Sequence, residues 1–223
     1  MTIRNSTRQR IGNEAQPLVI IDGFASDPDG LRTAAAGAAF VSAGQHYPGI
    51  RAGLPDTYMR DQLPLVARAL GREFGPCRRI RVIDAQFSIV TTAPDALDIR
   101  QRLPHVDAYG CNRIALIHYL SPTNRDGTAF FRHRGTGFET IDATRAPAFF
   151  ARLGKEVEAM PPQGYIADDT ALFDRTALVD AAYNRALLYR SYVLHSGAIA
   201  TDAVLSANPA LGRLTVTAFF AIE

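Results

Sequence analysis

From Ile80 to the C-terminus the chain is built of short apolar, β-branched or aromatic runs separated by Pro, Asn and Gly, and no glycine-rich phosphate loop follows any of them. The runs are Ile80–Thr92, Asn112–Leu120, Thr128–Arg134, Ala186–His195 and Leu214–Ile222. They do not alternate regularly with helical segments, so a parallel βαβ architecture and its nucleotide sites are excluded. A mainly antiparallel sheet structure follows, of the jelly-roll kind that pairs short strands without long crossovers. Two segments interrupt it. Thr144–Met160 and Asp169–Tyr183 each open on a Ser, Thr or Asp and carry helical apolar spacing, which predicts a helical insertion before the last two strands.

The N-terminal part reads differently. Residues 1–16 are polar and lack apolar periodicity, which predicts a flexible arm, and residues 17–223 then form a single domain. Leu18–Asp22 is a short strand; Ser26-Asp27-Pro28 supplies a helix start for Leu31–Phe40. The Gly- and Pro-rich stretch Gln45–Pro55 reads as a loop, and Asp56 opens an amphipathic helix to about Phe74. The expected class is therefore mainly β with flanking helices (α+β).

Charge narrows the function classes. Net charge is +2, Lys155 is the only lysine among 24 basic residues, and the arginines are scattered apart from the knot around Cys77-Arg78-Arg79. No aromatic-interleaved basic stripe is present, so nucleic acid is not the expected partner. No apolar run approaches 18 residues, so no membrane span is expected. Two cysteines, Cys77 and Cys111, without metal-site spacing fit free thiols in a reducing, cytoplasmic setting.

The chemistry concentrates at His105-Val106-Asp107. After Pro104 the segment should be extended, and residues two apart then project to one side, giving an imidazole and a carboxylate together. His195, ending a predicted strand, offers a third ligand; two histidines and one carboxylate on one face of a metal leave the opposite positions open. With five histidines in the chain a lone His-x-Asp carries little weight. The order of elements adds to it: His-x-Asp, further strands, His195, then Arg213-Leu214-Thr215 opening the last strand with Arg213 and Thr215 on one face. Among the other histidines, His118 alternates with Leu116 and Ile114 and reads as a hydrogen-bonded core residue. His133, flanked by Arg132 and Arg134, reads either as a solvated strand end or as a contact for an anionic or peptide-like substrate. His46 and Tyr47 lie in the Gly/Pro-rich loop, with no spacing that selects a role.

This order resembles the Fe(II)/2-oxoglutarate-dependent oxygenases, most closely the prolyl-hydroxylase-like members, over about Ile83–Phe220. Gly127–Arg134 and Tyr183-Asn184-Arg185 resemble an uncharacterised bacterial group near them. The resemblance implies a double-stranded β-helix (jelly-roll, cupin-like) barrel with N-terminal helices. It implies His105, Asp107 and His195 as Fe(II) ligands, and Arg213, with Thr215 and Tyr119 beside it, as the grip on the far carboxylate of 2-oxoglutarate. The activity implied is hydroxylation, or another oxidation, of an unactivated C–H bond with O2, on a small-molecule or peptide substrate that the sequence does not identify. The chain departs from the family at the eighteen positions from His195 to Arg213, more than the usual ten or so, which requires Ala198–Gly212 to be an inserted loop. Two other readings stand beside it: a cupin-like metal- or ligand-binding protein without 2-oxoglutarate turnover, and a barrel enzyme independent of that cosubstrate. A homodimer is the commonest assembly for such chains.

Overall fold

The structure, a computed structural model, describes residues 6–44, 47–123 and 126–223. Eleven strands among these residues make two antiparallel sheets. In chain order the elements are β1 (Ser6–Ile11), β2 (Gln16–Asp22), α1 (Pro28–Ala36), β3 (Val41–Ser42), β4 (Gly49–Gly53), α2 (Thr57–Glu73) and β5 (Ile80–Val90). There follow α3 (Ile99–Arg102), β6 (Arg113–Tyr119), β7 (Gly127–His133), α4 (Ala146–Ala159), β8 (Phe173–Asp180), β9 (Arg185–Arg190), β10 (His195–Ala198) and β11 (Arg213–Ile222). The large sheet runs β1-β2-β9-β6-β11-β5-β4-β3 and the small one β10-β7-β8. The two sheets do not close into the continuous barrel that the sequence suggested.

Strand alternation sorts the side chains into three apolar layers. On β2, β6 and β9 one set of residues, including Val19, Ile114, Leu116 and Leu188, faces α1 and α2 together with Phe87, Val216 and Phe220. On α2 the buried residues Tyr58, Gln62, Val66, Ala69 and Leu70 recur at helical spacing, so one face of the helix covers the sheet. The alternate set, Leu18, Ile20, Ala115, Tyr119, Leu187 and Tyr189, faces the small sheet through Phe130 and Val179. The outer face of the small sheet, with Ala129 and Phe131, is closed by Phe149 and Leu153 of α4. Phe87, Phe130, Phe131, Phe149 and Phe220 are each buried to within 2 %, and side chains of that size stabilise by about 1.5–3 kcal/mol apiece on full burial.

The N-cap of α1 forms as its sequence predicts: the Asp27 carboxylate accepts from Gly30 N at 2.8 Å, with Pro28 in the first turn. Elsewhere the chain departs from expectation. Residues 6–11 of the expected arm are β1, paired residue for residue with β2. The turn between them is held by Glu139, whose carboxylate accepts from Asn13 N and Glu14 N, both at 2.9 Å. Sequence periodicity missed this because the tie comes from a residue far along the chain. Gln45–Pro55 contains β4, which pairs along β5. Asp169–Tyr183, expected as helix, holds β8, paired along β7. A register shift between Phe130 and Phe131 interrupts the period-two burial of β8 that would have marked a strand. The helical insertion is therefore α4 alone. The predicted strand Ala186–His195 is two strands, β9 and β10, that belong to different sheets.

Candidate metal centre

The break between β9 and β10 builds the site. The chain leaves the large sheet after Arg190, and Val193 N donates to Arg190 O at 3.1 Å in the turn. It then enters the small sheet at His195, opposite Phe130. Residues 105–107 lie extended alongside. His105 N donates to His195 O at 2.9 Å, His195 N returns to His105 O at 3.0 Å, and Asp107 N donates to Ser191 O at 2.8 Å. His105 and His195 are thus a directly opposed antiparallel pair, which sends their side chains to one face, and Asp107, two residues on, joins them. The two imidazole centroids are 4.5 Å apart.

The donor atoms converge. His105 Nε2 lies 3.7 Å from Asp107 Oδ1 and His195 Nε2 lies 3.6 Å from Asp107 Oδ2, and all three ligand atoms fall within 4.8 Å of one another. Two donors each ~2.1 Å from one ion can be at most ~4.2 Å apart, so the two measured contacts fit a single small cation. The protonation states fit as well. His195 Nδ1–H donates to Val193 O at 2.9 Å, which leaves the Nε2 lone pair on the side of Asp107. Burial pushes the His195 pKa down to about 4, partly countered by that hydrogen bond, so the ring is neutral at neutral pH and ready to ligate. Burial raises the Asp107 pKa to about 6, while His105 and Arg51 pull it back. A carboxyl left short of counter-charge in this way is one that a divalent cation would hold ionised.

The triad opens onto a cavity of about 620 Å³ between the sheets. Arg213, Thr215, Thr217 and Phe219 line it from the inner face of β11. Arg213 is 7 % exposed; it donates to Gly127 O at 3.0 Å and its Nε stands 3.6 Å from Asp126. The chain between β10 and β11 holds neither helix nor strand, in keeping with the inserted loop that the spacing required. That loop is anchored to the same acid, since Asp126 Oδ1 accepts from Ala200 N at 2.9 Å. Thr215 donates to Ser88 O at 3.2 Å.

Tyr119 stands elsewhere than the resemblance implied. The Arg213 guanidinium lies 5.6 Å over its ring, but its hydroxyl is hydrogen-bonded to Thr128 Oγ1 at 2.7 Å and it does not line the cavity. Tyr47 does line it, with a buried hydroxyl near Thr215 and Ser88 that forms no well-aligned hydrogen bond among the described residues. Tyr165 and Arg51 are on the wall too. Sequence reasoning named Tyr47 only as a loop residue and missed Arg51, because the glycines and prolines around β4 concealed a strand.

His118 is the core histidine expected: fully buried, with Nδ1 against Tyr58 OH at 3.1 Å and Nε2 against Asn184 Oδ1 at 3.0 Å. His133 is taken up by Glu156 at 2.8 Å and Thr136 at 2.9 Å, while Arg132 and Arg134 both pair with Asp174 at 2.6 Å. None of these three lines the cavity, so the substrate-facing alternative for them is not what the fold builds. His46 lies outside the described residues. Cys77 and Cys111 are free thiols, and no helix among the described residues is long and apolar enough to cross a membrane.

The sequence profile of a family of unknown function (DUF6445) matches residues 4–220. The chain belongs to this family. No curated protein matches it. Among solved structures, the family member described here is similar to the non-haem alpha-ketoglutarate-dependent epimerase SnoN from nogalamycin biosynthesis. The TM-score is 0.53 at 14 % identity, over 92 % of this chain and 78 % of that one. It is also similar to the iron-bound HygX of Streptomyces hygroscopicus, with a TM-score of 0.49 at 11 % identity, over 94 % and 84 % of the two chains. The likeness to SnoN is one of fold.

Proposed function

We propose that this protein is a non-haem Fe(II)/2-oxoglutarate-dependent oxygenase that hydroxylates, or otherwise oxidises, an unactivated C–H bond of a small-molecule or peptide substrate. On this reading the two facing sheets are an open form of the double-stranded β-helix. The observation that carries the proposal is the convergence of His105, Asp107 and His195 at one end of a cavity whose wall also presents Arg213. The epimerase SnoN, alike in fold, is described as non-haem and alpha-ketoglutarate dependent, which supports the same assignment.

His105, Asp107 and His195 would hold Fe(II), which with 2-oxoglutarate and O2 supplies an oxidant strong enough for an unactivated C–H bond. The chain does the rest. Val193 O fixes the His195 tautomer through Nδ1–H, keeping Nε2 as the ligating atom. Arg213, held by Gly127 O and backed by Asp126, presents a fixed guanidinium to the far carboxylate of 2-oxoglutarate. Tyr47 offers its hydroxyl, near Thr215 and Ser88, as a second donor on the same wall, taking the place expected of Tyr119. Thr215 completes that wall. Ile166, Tyr189, Ile199 and Phe219 add an apolar stretch of wall that helps to exclude water from the reacting end.

The test is an anaerobic titration of metal-free protein with Fe(II) and 2-oxoglutarate, following the visible charge-transfer band. The band is expected in the wild type, absent in His105→Ala, and reached only at higher 2-oxoglutarate in Arg213→Ala. Tight stoichiometric metal binding with no band would refute the oxygenase reading. One observation favours a metal-binding protein without turnover, the cupin-like alternative: Asp126 already offsets part of the Arg213 charge. Metal-dependent release of CO2 from 2-oxoglutarate would dismiss it.

A further inference from the structure

The cavity is more positive than a metal and 2-oxoglutarate require. Besides Arg213 its wall includes Arg51, Arg100 and Arg113, and Asp107 is the sole acid among the described lining residues. On the oxygenase reading, a divalent cation, Asp107, the cosubstrate dianion and Arg213 balance to zero. Arg100 is exposed to solvent; counting Asp126 behind Arg213 as well, Arg51 and Arg113 still leave a surplus of one positive charge. Unneutralised charge facing a partly enclosed cavity is costly unless a ligand answers it.

Arg51 is the best formed of the three. The register Arg51↔Ser88 and Ser88↔Thr215 places it on the same face of the large sheet as Thr215, so it projects between the sheets. Its guanidinium lies 4.7 Å over the Tyr47 ring, which holds the planar fork in one orientation. Among the described residues it makes no ion pair, and its Nε is buried without a hydrogen-bond partner. A buried, unsatisfied donor is costly unless a ligand meets it. Arg51 is also near enough to the triad to be one of the charges lowering the Asp107 pKa. Arg113 repeats the pattern at the start of β6, opposite Ala221, toward the other end of β11 from Arg213, again with a buried, unpartnered Nε.

We propose that the substrate is a small oxyanion-bearing molecule whose acid group is bound by the Arg51 guanidinium beside the metal triad, with Arg113 drawing it in along β11. This rests on the oxygenase reading in assigning Arg213 to 2-oxoglutarate. A fork pinned on an aromatic ring suits the two oxygens of a carboxylate or a phosphate, and neutral isosteres would leave its donors unmatched.

The test is isothermal titration of the protein loaded with Mn(II) and 2-oxoglutarate. The probes share a phenyl ring and similar length: phenylacetate, its neutral planar isostere phenylacetamide, and the tetrahedral phenyl phosphate. The wild type should bind at least one of the two anions ten times or more tighter than the amide, and whichever anion wins identifies the acid group. Arg51→Gln should abolish that preference while leaving its 2-oxoglutarate affinity within about threefold of the wild type, and Arg51→Lys should keep part of the preference. The proposal is overturned if anions and amide bind alike, if none of the probes binds, or if Arg51→Gln keeps the preference. It is also overturned if Arg51→Gln loses 2-oxoglutarate instead, since Arg51 would then be the cosubstrate anchor. Should the wild type fail to take up 2-oxoglutarate, the oxygenase reading falls; the same titration without it still decides whether Arg51 is an oxyanion site.

Discussion

His118 and His195 are both buried histidines with pKa values near 4, yet one belongs to the core and the other to the proposed metal centre, and acid should tell them apart. In His118 both ring nitrogens are occupied, Nε2–H donating to Asn184 Oδ1 and Nδ1 accepting from Tyr58 OH. In His118→Phe the Asn184 oxygen keeps its bond from Ala25 N at 2.8 Å, but the buried Tyr58 hydroxyl loses its partner. The cost at pH 7.5 is then about 2–3 kcal/mol. For the sign, the folded-state pKa of about 4 lies below the unfolded value of about 6.5, so between those pH values the unfolded chain binds the extra proton. Wild-type stability is fully present above pH 6.5 and falls as pH drops toward 4, by about 2 kcal/mol at pH 5 from this group alone. His118→Phe lacks the group, and His195 contributes equally to both proteins. The stability gap should therefore shrink from about 2–3 kcal/mol at pH 7.5 to about 1 kcal/mol or less at pH 5. Urea unfolding of the metal-free proteins, followed by circular dichroism at the two pH values, measures it. A gap that is the same at both would show that His118 is not held neutral by burial.

His195→Gln and Asp107→Asn should lose stabilisation by metal. At a metal concentration of 100 times Kd the wild type gains about 2.7 kcal/mol, or roughly 5–10 °C in Tm for a chain of this size. A shift of that size surviving in either variant would place the ion elsewhere. Tyr47→Phe removes a buried hydroxyl that lies near Thr215 and Ser88 without a well-aligned hydrogen bond to either. It should leave the ligand-free Tm unchanged or slightly raised while weakening 2-oxoglutarate about 5–10-fold in equilibrium titration; unaltered affinity would remove Tyr47 from the cosubstrate wall. Gly12 has φ +66 and sits against the Glu139 carboxylate. Gly12→Ala should cost about 1–2 kcal/mol in urea unfolding with metal affinity intact, and a neutral result would mean that the β1–β2 turn is not tied down as described.

Much of the site was legible because it rests on local periodicity. His105 and Asp107 are two apart in an extended segment, and Arg213 and Thr215 are two apart on a strand, so each pair shares a face wherever the strand ends up. The partner of each pair was legible only through the order of elements, since nothing near His195 announces that the chain changes sheets at residues 191–194. The fold was harder where long-range ties replace local signals. The polar residues of β1 become a strand because β2 and Glu139 hold them, and β8 alternates poorly because Thr176, skipped between Arg175 and Ala177, shifts its register on β7. Tyr119 and Tyr47 show the limit in the site itself. Both are tyrosines near Arg213, and only the packing of Tyr119 onto Thr128 directs its hydroxyl away from the cavity.

That exchange of tyrosines bears on how the site divides its labour. Arg213 is set from behind by Asp126, Gly127 and the Tyr119 ring, all on or beside β6 and β7, whereas Tyr47 and Arg51 approach from the β4 side of the large sheet. Arg213 and Arg51 therefore lie on separate strands, β11 and β4, of one face of the large sheet with β5 between them, and Tyr47 stands near both. A change at β4 can alter which acid is bound without disturbing the metal ligands, which are fixed by hydrogen bonds among residues 105–107, 191 and 195. The fold thus keeps the metal ligands on the rigid pairing of two strand segments and leaves selectivity to Arg51 on β4.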